Sequence, residues 1–276
     1  MSKRSTLKWL LAGGVAAAAA FASTARADLL ADVKAAGVLT LATDMQYMPF
    51  DFYKDNRHQG FDKDYFEEIG KALGVRVRFL DLPWTGTLPG LEARRFDLVA
   101  APVIVTRERK QRYRFTLPIA DATVAFLKRA NDGRIAKPED VAGKAIGSQR
   151  GTSQLAQMKA YADTLSPKPA IHEYVDLNQA YADLANGRLA AVAGGLPNIA
   201  AVAKERKNVF EVVMPPFGQQ TYYAFLGRKD EDSASLIQAI DDATRAMRED
   251  GRFATLQKRW FGMEMAVPAE DFEPAL

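Results

Sequence analysis

The chain has 276 residues, 48% of them hydrophobic, with 37 basic and 34 acidic side chains, two histidines and no cysteine. That length and apolar content can bury one large domain or two lobes. The absence of cysteine excludes a disulfide framework, and two distant histidines leave no spacing that suits a metal ion.

Residues 1–27 have the layout of a signal peptide. "MSKRSTLK" is a basic n-region, "WLLAGGVAAAAAF" an apolar h-region, and "ARA" before Asp28 a small-x-small cleavage site. The apolar stretch falls short of the roughly 20 residues a spanning helix needs. Removing its basic residues Lys3, Arg4, Lys8 and Arg26 changes the net charge from +3 to −1. A near-neutral mature chain is poorly suited to sequence-independent binding of phosphate backbones, so no nucleic-acid partner is expected. No lipid-attachment cysteine follows the leader. A freely diffusing exported protein needs an outer membrane to retain it, and the expected location is the Gram-negative periplasm.

From Val38 onward strand-like and helix-like patterns alternate. "VLTLAT" (38–43) reads as a strand, and "FDKDYFEEIGKALG" sets Phe61, Tyr65, Ile69 and Leu73 on one helical face before Gly74. "VRVRFLDL" alternates as a half-exposed strand, a second helical stretch ends near Arg94, and "FDLVAAPV" reads as a buried strand. Thr106 is a predicted N-cap, placing Arg109 at the third position of a short helix. A second run places strands at 144–148, 170–175, 189–194 and 208–213, with helices near 152–163, 177–186 and 197–205 between them. Two extended segments, "ATVAFLKRAND" (122–132) and "QQTYYAFLGRKD" (219–230), connect the runs, and the C-terminal part returns to helix. The pattern predicts an α/β protein of two βαβ lobes joined by two crossings. Ligands of open α/β sheets sit beyond the carboxyl ends of the strands.

Three loops at those ends carry chemistry. After the first strand, Asp44 can accept hydrogen bonds from an ammonium, and Tyr47, Phe50 and Phe52 can wall a pocket or fill a core. After the third strand comes "TRERKQRYRF", five basic residues with one acid. Arg109, at a helix start, can hold a carboxylate with two parallel hydrogen bonds; the other four are expected to form a solvated rim. In the second run the strand 144–148 leads at Gln149 into "QRGTSQ", where Thr152 and Ser153 stand at a helix start whose hydroxyls and free N–H groups suit an anion.

Seven segments in order carry a resemblance: "ATDMQYMPFDF", "GFDKDYFEEIGKALG", "WTGTLPGLEARRFDLVAA", "TRERKQRYRFTLP", "IGSQRGTS", "LANGRLAAVAGGLP" and "DGRFATLQKRWFG". Together they closely resemble the family 3 periplasmic solute-binding proteins of polar amino-acid ABC importers, over about residues 36–262. The resemblance implies a type II periplasmic-binding-protein fold whose two lobes close like a hinged trap. It implies a first lobe of 28–125 plus 223–276, a second of 130–218, and hinges at 126–129 and 219–222. It further implies a monomer without cofactor, delivering an amino acid or related small carboxylate to a membrane permease. By the same resemblance Arg109 grips the ligand carboxylate, assisted by Ser153. Asp44 and Tyr47 line the first loop, and Trp84 forms a side wall.

Three polar anchors of the family pattern are missing. Pro102 replaces a glycine or serine and has no N–H; Ile104 replaces a hydroxyl residue; Gly195 replaces the aspartate that pairs with the ligand ammonium. A carboxylate ligand without an α-ammonium in the usual place, in a wider and more apolar pocket, is the expectation that follows. Two alternatives remain open at this level. One is a specialised member that binds a non-amino-acid ligand or serves a periplasmic enzyme or protein partner. The other is a cyclohexadienyl dehydratase-like enzyme on the same scaffold, although His58 and His172 form no evident catalytic constellation.

Overall fold

This computed structural model describes residues 28–276, and the expected signal peptide at 1–27 lies outside them. Helix α1 (Leu29–Ala36) starts on the Asp28 carboxylate, which accepts from the N–H groups of Leu30 and Ala31. Strand β1 (Val38–Thr43) follows. The loop expected after it instead folds into a small antiparallel sheet, β2 (Gln46–Tyr47), β3 (Asp51–Lys54) and β4 (Arg57–Gln59). Helix α2 (Phe61–Leu73) buries Phe61, Tyr65 and Ile69 as their spacing predicts, and Gly74 ends it at a φ of 73°. Strand β5 (Arg76–Asp81), helix α3 (Trp84–Glu92) and the wholly buried β6 (Leu98–Ile104) complete the first winding. Then come α4 (Arg107–Arg112), β7 (Tyr113–Phe115) and β8 (Ala120–Asp121).

The second winding comprises β9 (Val124–Arg129), β10 (Ala145–Gln149), α5 (Ser153–Ala162), β11 (Ala170–Tyr174) and α6 (Leu177–Ala185). It ends with β12 (Ala191–Gly195), α7 (Leu196–Glu205) and β13 (Phe210–Val213). Strand β14 (Tyr222–Arg228) then returns to the first sheet, followed by α8 (Ala234–Glu249) and α9 (Arg252–Phe261). The first sheet runs β5-β1-β6-β14-β7, with β8 also on β14; the second runs β11-β10-β12-β9-β13. The β1, β5 and β6 ladders and the β10, β11 and β12 ladders are parallel. Strands β9, β13 and β14 join antiparallel.

The expected lobe limits at 125 and 130 and the hinge at 126–129 need correcting. Phe126 pairs with Ala193 on one side and Val213 on the other, so the whole of Val124–Arg129 is strand within the second sheet. The chain instead crosses at Ala122–Thr123 and returns over residues 214–221, since Tyr222 already belongs to β14. Both crossings thus run straight into a strand with neighbours on both sides in its sheet.

Packing in the first lobe centres on an aromatic cluster. Phe50 touches Phe61, Tyr223 and Phe261, and Tyr65 stacks between Phe61 and Phe225. Each such side chain contributes about 1.5–3 kcal/mol on leaving water. Phe50, fully buried, is core and not pocket wall. Phe52 packs edge-on against Trp260.

Candidate ligand-binding site

The carboxyl ends of β1, β6 and β10 converge on a pocket between the two sheets. Asp44, Tyr47, Trp84, Ala101, Pro102, Val103, Ile104, Arg109, Gln149, Thr152 and Gln154 line it, around a cavity of about 30 Å³. That is room for little more than one water molecule, because side chains of the two lobes touch across it. Gln149 donates to Asp44 Oδ2 at 2.7 Å, the Trp84 indole N–H donates to the Gly151 carbonyl at 3.0 Å, and Gln154 donates to the hydroxyls of Tyr47 and Tyr223. Those two hydroxyls also bond to each other at 2.7 Å. Deeper in, Asn198 takes up the Met48 carbonyl and accepts from the Tyr181 hydroxyl.

Arg109 is placed by its helix cap. The Thr106 hydroxyl accepts from the Arg109 N–H, fixing the first turn of α4. Its half-buried guanidinium donates to the carbonyls of Ile104 at 3.1 Å and Gly151 at 3.5 Å, and lies 5.7 Å from the centre of the Trp84 ring. Burial pushes its pKa down to about 10, with Glu108 next door acting in the opposite sense. Carbonyl dipoles and an indole face do not neutralise a cation, so this group suits an anion.

The other four basic residues of the cluster make their contacts at the surface, with the Arg107 and Arg112 side chains each 60% exposed. Arg112 pairs with Glu92, Arg107 with Glu273, Lys110 with Asp271, and Arg114 reaches the Lys229 carbonyl. Only Arg109 among the five lines the pocket.

Asp44 is the complementary group. It is 5% exposed; Oδ2 is held by Gln149, while Oδ1 is buried without a hydrogen-bond partner. Burial raises its pKa to about 6, opposed by the Gln149 hydrogen bond and the nearby Trp84 amide and reinforced by the charge of Asp81. An incoming cation would satisfy the open oxygen and stabilise the charged form.

Gly195, at the end of β12, does not line the cavity, nor does Ser153 at the start of α5. A Cβ at Gly195 would lie 1.9 Å from the Tyr223 hydroxyl. That hydroxyl stands in the space the missing aspartate side chain would fill, so the pocket is narrower than the lost anchors suggested. Thr152 caps α5, accepting from Leu155 and donating to the Gln149 carbonyl, which fixes the strand end that carries Gln149. The sequence reading missed Gln154 and Tyr223. Both follow directly on segments it had marked, the helix start at Thr152–Ser153 and the returning crossing.

The pattern of the bacterial extracellular solute-binding proteins, family 3, matches residues 39–263. The chain belongs to that family. Among its relatives, the L-cystine-binding protein TcyJ of Escherichia coli K12 is 28% identical over 264 residues, covering 95% of this solute-binding chain and 97% of TcyJ. An ancestral arginine-binding protein bound to arginine superposes with a TM-score of 0.75 at 28% identity, covering 82% of this chain and 99% of its own. The ancestral amino acid-binding protein AncCDT-1, a precursor of cyclohexadienyl dehydratase, superposes at 0.74 and 28% identity, covering 85% and 100%. The two-lobed periplasmic-binding-protein fold and the solute-binding role of this family 3 member therefore stand.

Proposed function

We propose that this solute-binding protein captures a single α-amino acid with a neutral side chain for an ABC importer. The observation that carries the reading is the pairing, in one pocket, of the Arg109 guanidinium and the Asp44 carboxylate, the first without a carboxylate partner and the second with one open oxygen among the described residues. A zwitterion uses both. Asp44 then takes over the ammonium that the family aspartate, here Gly195, would have met. Arg109 holds the carboxylate, while Trp84 and Tyr47 wall the pocket and Gln149 and Thr152 brace it. No second acid or base lines the cavity for a charged side chain. The relatives named for cystine and for arginine support the amino-acid class; the single pair of charges argues for a neutral side chain.

The same reading places the protein in the periplasm as a monomer that docks on a membrane permease, and as a binder without catalysis. His58 bonds to Asp51 outside the pocket and His172 lies exposed on β11, so neither histidine reaches the pocket as a proton-transfer group. Incubation with arogenate or prephenate is expected to leave both unchanged.

Calorimetry against the twenty amino acids, L-cystine and simple organic acids tests the proposal. Tightest binding by a neutral amino acid is expected; tightest binding by arginine, lysine or an amine-free acid would overturn it. Asp44 also sets a pH dependence. Its raised pKa means the ligand-free fold gains stability from this group as pH falls through about 6. An ammonium needs the ionised form, so affinity should fall about tenfold per pH unit below 6. Titrations between pH 4.5 and 8 check this, and Asp44→Asn should flatten the profile.

A further inference from the structure

Helix α4 carries Arg109 yet has no apolar anchor of its own. It spans Arg107–Arg112 and buries none of its residues. A six-residue helix with no buried face cannot hold one side chain in a fixed direction by packing. Glu92 and Lys229 reach its last residues, through Arg112 and the Lys110 carbonyl, but its Arg107 and Lys110 side chains are met from beyond the family pattern, which ends at residue 263.

Residues 268–276 run back over the first lobe as an irregular tail. Arg248 grips the Pro268 carbonyl at 3.1 Å and Arg245 pairs with Glu270 at 3.2 Å, fixing the start of the tail to α8. The tail then follows α4. Asp271 pairs with Lys110 at 2.6 Å, and the Phe272 carbonyl accepts from the same ammonium at 2.9 Å. The Phe272 ring sits 5.9 Å from that ammonium and 5.2 Å, edge-on, from the Tyr222 ring. Glu273 pairs with Arg107, Pro274 is buried, and the Ala275 carbonyl accepts from the Arg107 guanidinium. At the end, the Leu276 main-chain oxygen accepts from the Arg107 backbone N–H at 2.7 Å. That donor is one of the first-turn N–H groups a helix leaves unpaired.

We infer that the tail 268–276 is a strap that holds α4 in place, so that Asp271, Phe272 and Glu273 are positioning residues for the anion contact made by Arg109. Exposed ion pairs contribute little singly. Here they act with a buried proline, a ring contact and a backbone hydrogen bond on a helix otherwise held from outside by the Arg112–Glu92 pair and by the Lys229 ammonium on the Lys110 carbonyl. The strap accounts for two members of the basic cluster: Arg107 and Lys110 receive the acidic tail on one flank and leave Arg109 aimed into the pocket.

This inference rests on the reading that Arg109 meets a carboxylate, and its test separates the two. The mature chain, a variant ending at Val267 and the milder Phe272→Ala are compared by hydrogen exchange and by calorimetry with each neutral L-amino acid and its methyl ester. Without the strap, the amides of Arg109, Lys110 and Tyr113 should exchange at least about tenfold faster while those of β1 and β10 keep their protection. The preference for the free acid over its ester should shrink by a similar factor. Phe272→Ala should shift both readouts the same way by a smaller amount. Unchanged α4 protection, or a loss spread evenly over the first lobe, overturns the strap. Local loss at α4 in a protein that binds none of the amino acids supports the strap and overturns the ligand reading.

Discussion

Arg109→Ala is expected to weaken ligand binding by two to three decades, the largest loss of any single substitution in the pocket. Removing one partner of a desolvated charge pair costs about 3–5 kcal/mol, and about 1.4 kcal/mol is a factor of ten. The guanidinium is held by two carbonyls and an indole face, so alanine also leaves the Ile104 and Gly151 carbonyls without this donor. Arg112→Ala is the matched control. Arg112 pairs with Glu92 at 2.8 Å on an exposed surface and touches nothing in the pocket; its loss should leave affinity within about twofold. Equal effects of the two substitutions, read by calorimetry, would show that the anion sits elsewhere.

Gly195→Ala is the second large effect, and its sign is unusual for a small substitution. Gly195 ends β12 in the second sheet, and Tyr223 stands on β14 in the first. A methyl group 1.9 Å from the Tyr223 hydroxyl and 2.8 Å from its ring carbon cannot be accommodated while the lobes are closed. Tyr223 is fully buried and tied to Tyr47 and Gln154, so it has nowhere to yield. Overpacking of this kind costs about 1–3 kcal/mol. Because the clash lies between lobes, it falls on the closed arrangement and should lower affinity by about ten- to a hundredfold. Gly195→Asp, which restores the family residue, should bind more weakly still. Small-angle scattering checks the cause: the variants should be more extended than the parent. Parent-like affinity in Gly195→Ala would refute the tyrosine-filled site.

Much of this architecture was legible in the residues. The i+4 spacing of Phe61, Tyr65 and Ile69, the Gly74 stop and the Thr106 cap each specify a local conformation that tertiary packing then uses unchanged. Arg109, Asp44, Tyr47, Trp84, Gln149 and Thr152 do meet around one cavity. What failed is what local pattern does not encode. Residues 122–132 read as one extended run, and nothing in β-branched and aromatic composition says which sheet such a run will join; β9 proved to be a central strand of the second. Phe50 and Tyr47 lie three residues apart in one motif, yet one is core and the other faces the pocket. The two glutamine bridges and the Tyr223 hydroxyl depend on the lobes meeting, an event of high sequence separation. The loss at Gly195 suggested a wide pocket because the compensating tyrosine sits 28 positions later, on the other lobe.

The tail adds a constraint that family membership does not supply. Its contacts tie α4, which carries Arg109, to α8, so the proposed strap would make the affinity of the pocket depend on residues far from it in sequence. Substitutions in this segment belong with those of the pocket when specificity is altered.

The central claim is that one zwitterion bridges Arg109 and Asp44. Calorimetry at pH 7.5 with the neutral amino acid that binds most tightly, its 2-oxo analogue and its carboxamide tests this most directly. The account predicts that losing either charge weakens binding by at least about a hundredfold. A 2-oxo acid that binds as tightly as the amino acid would contradict it.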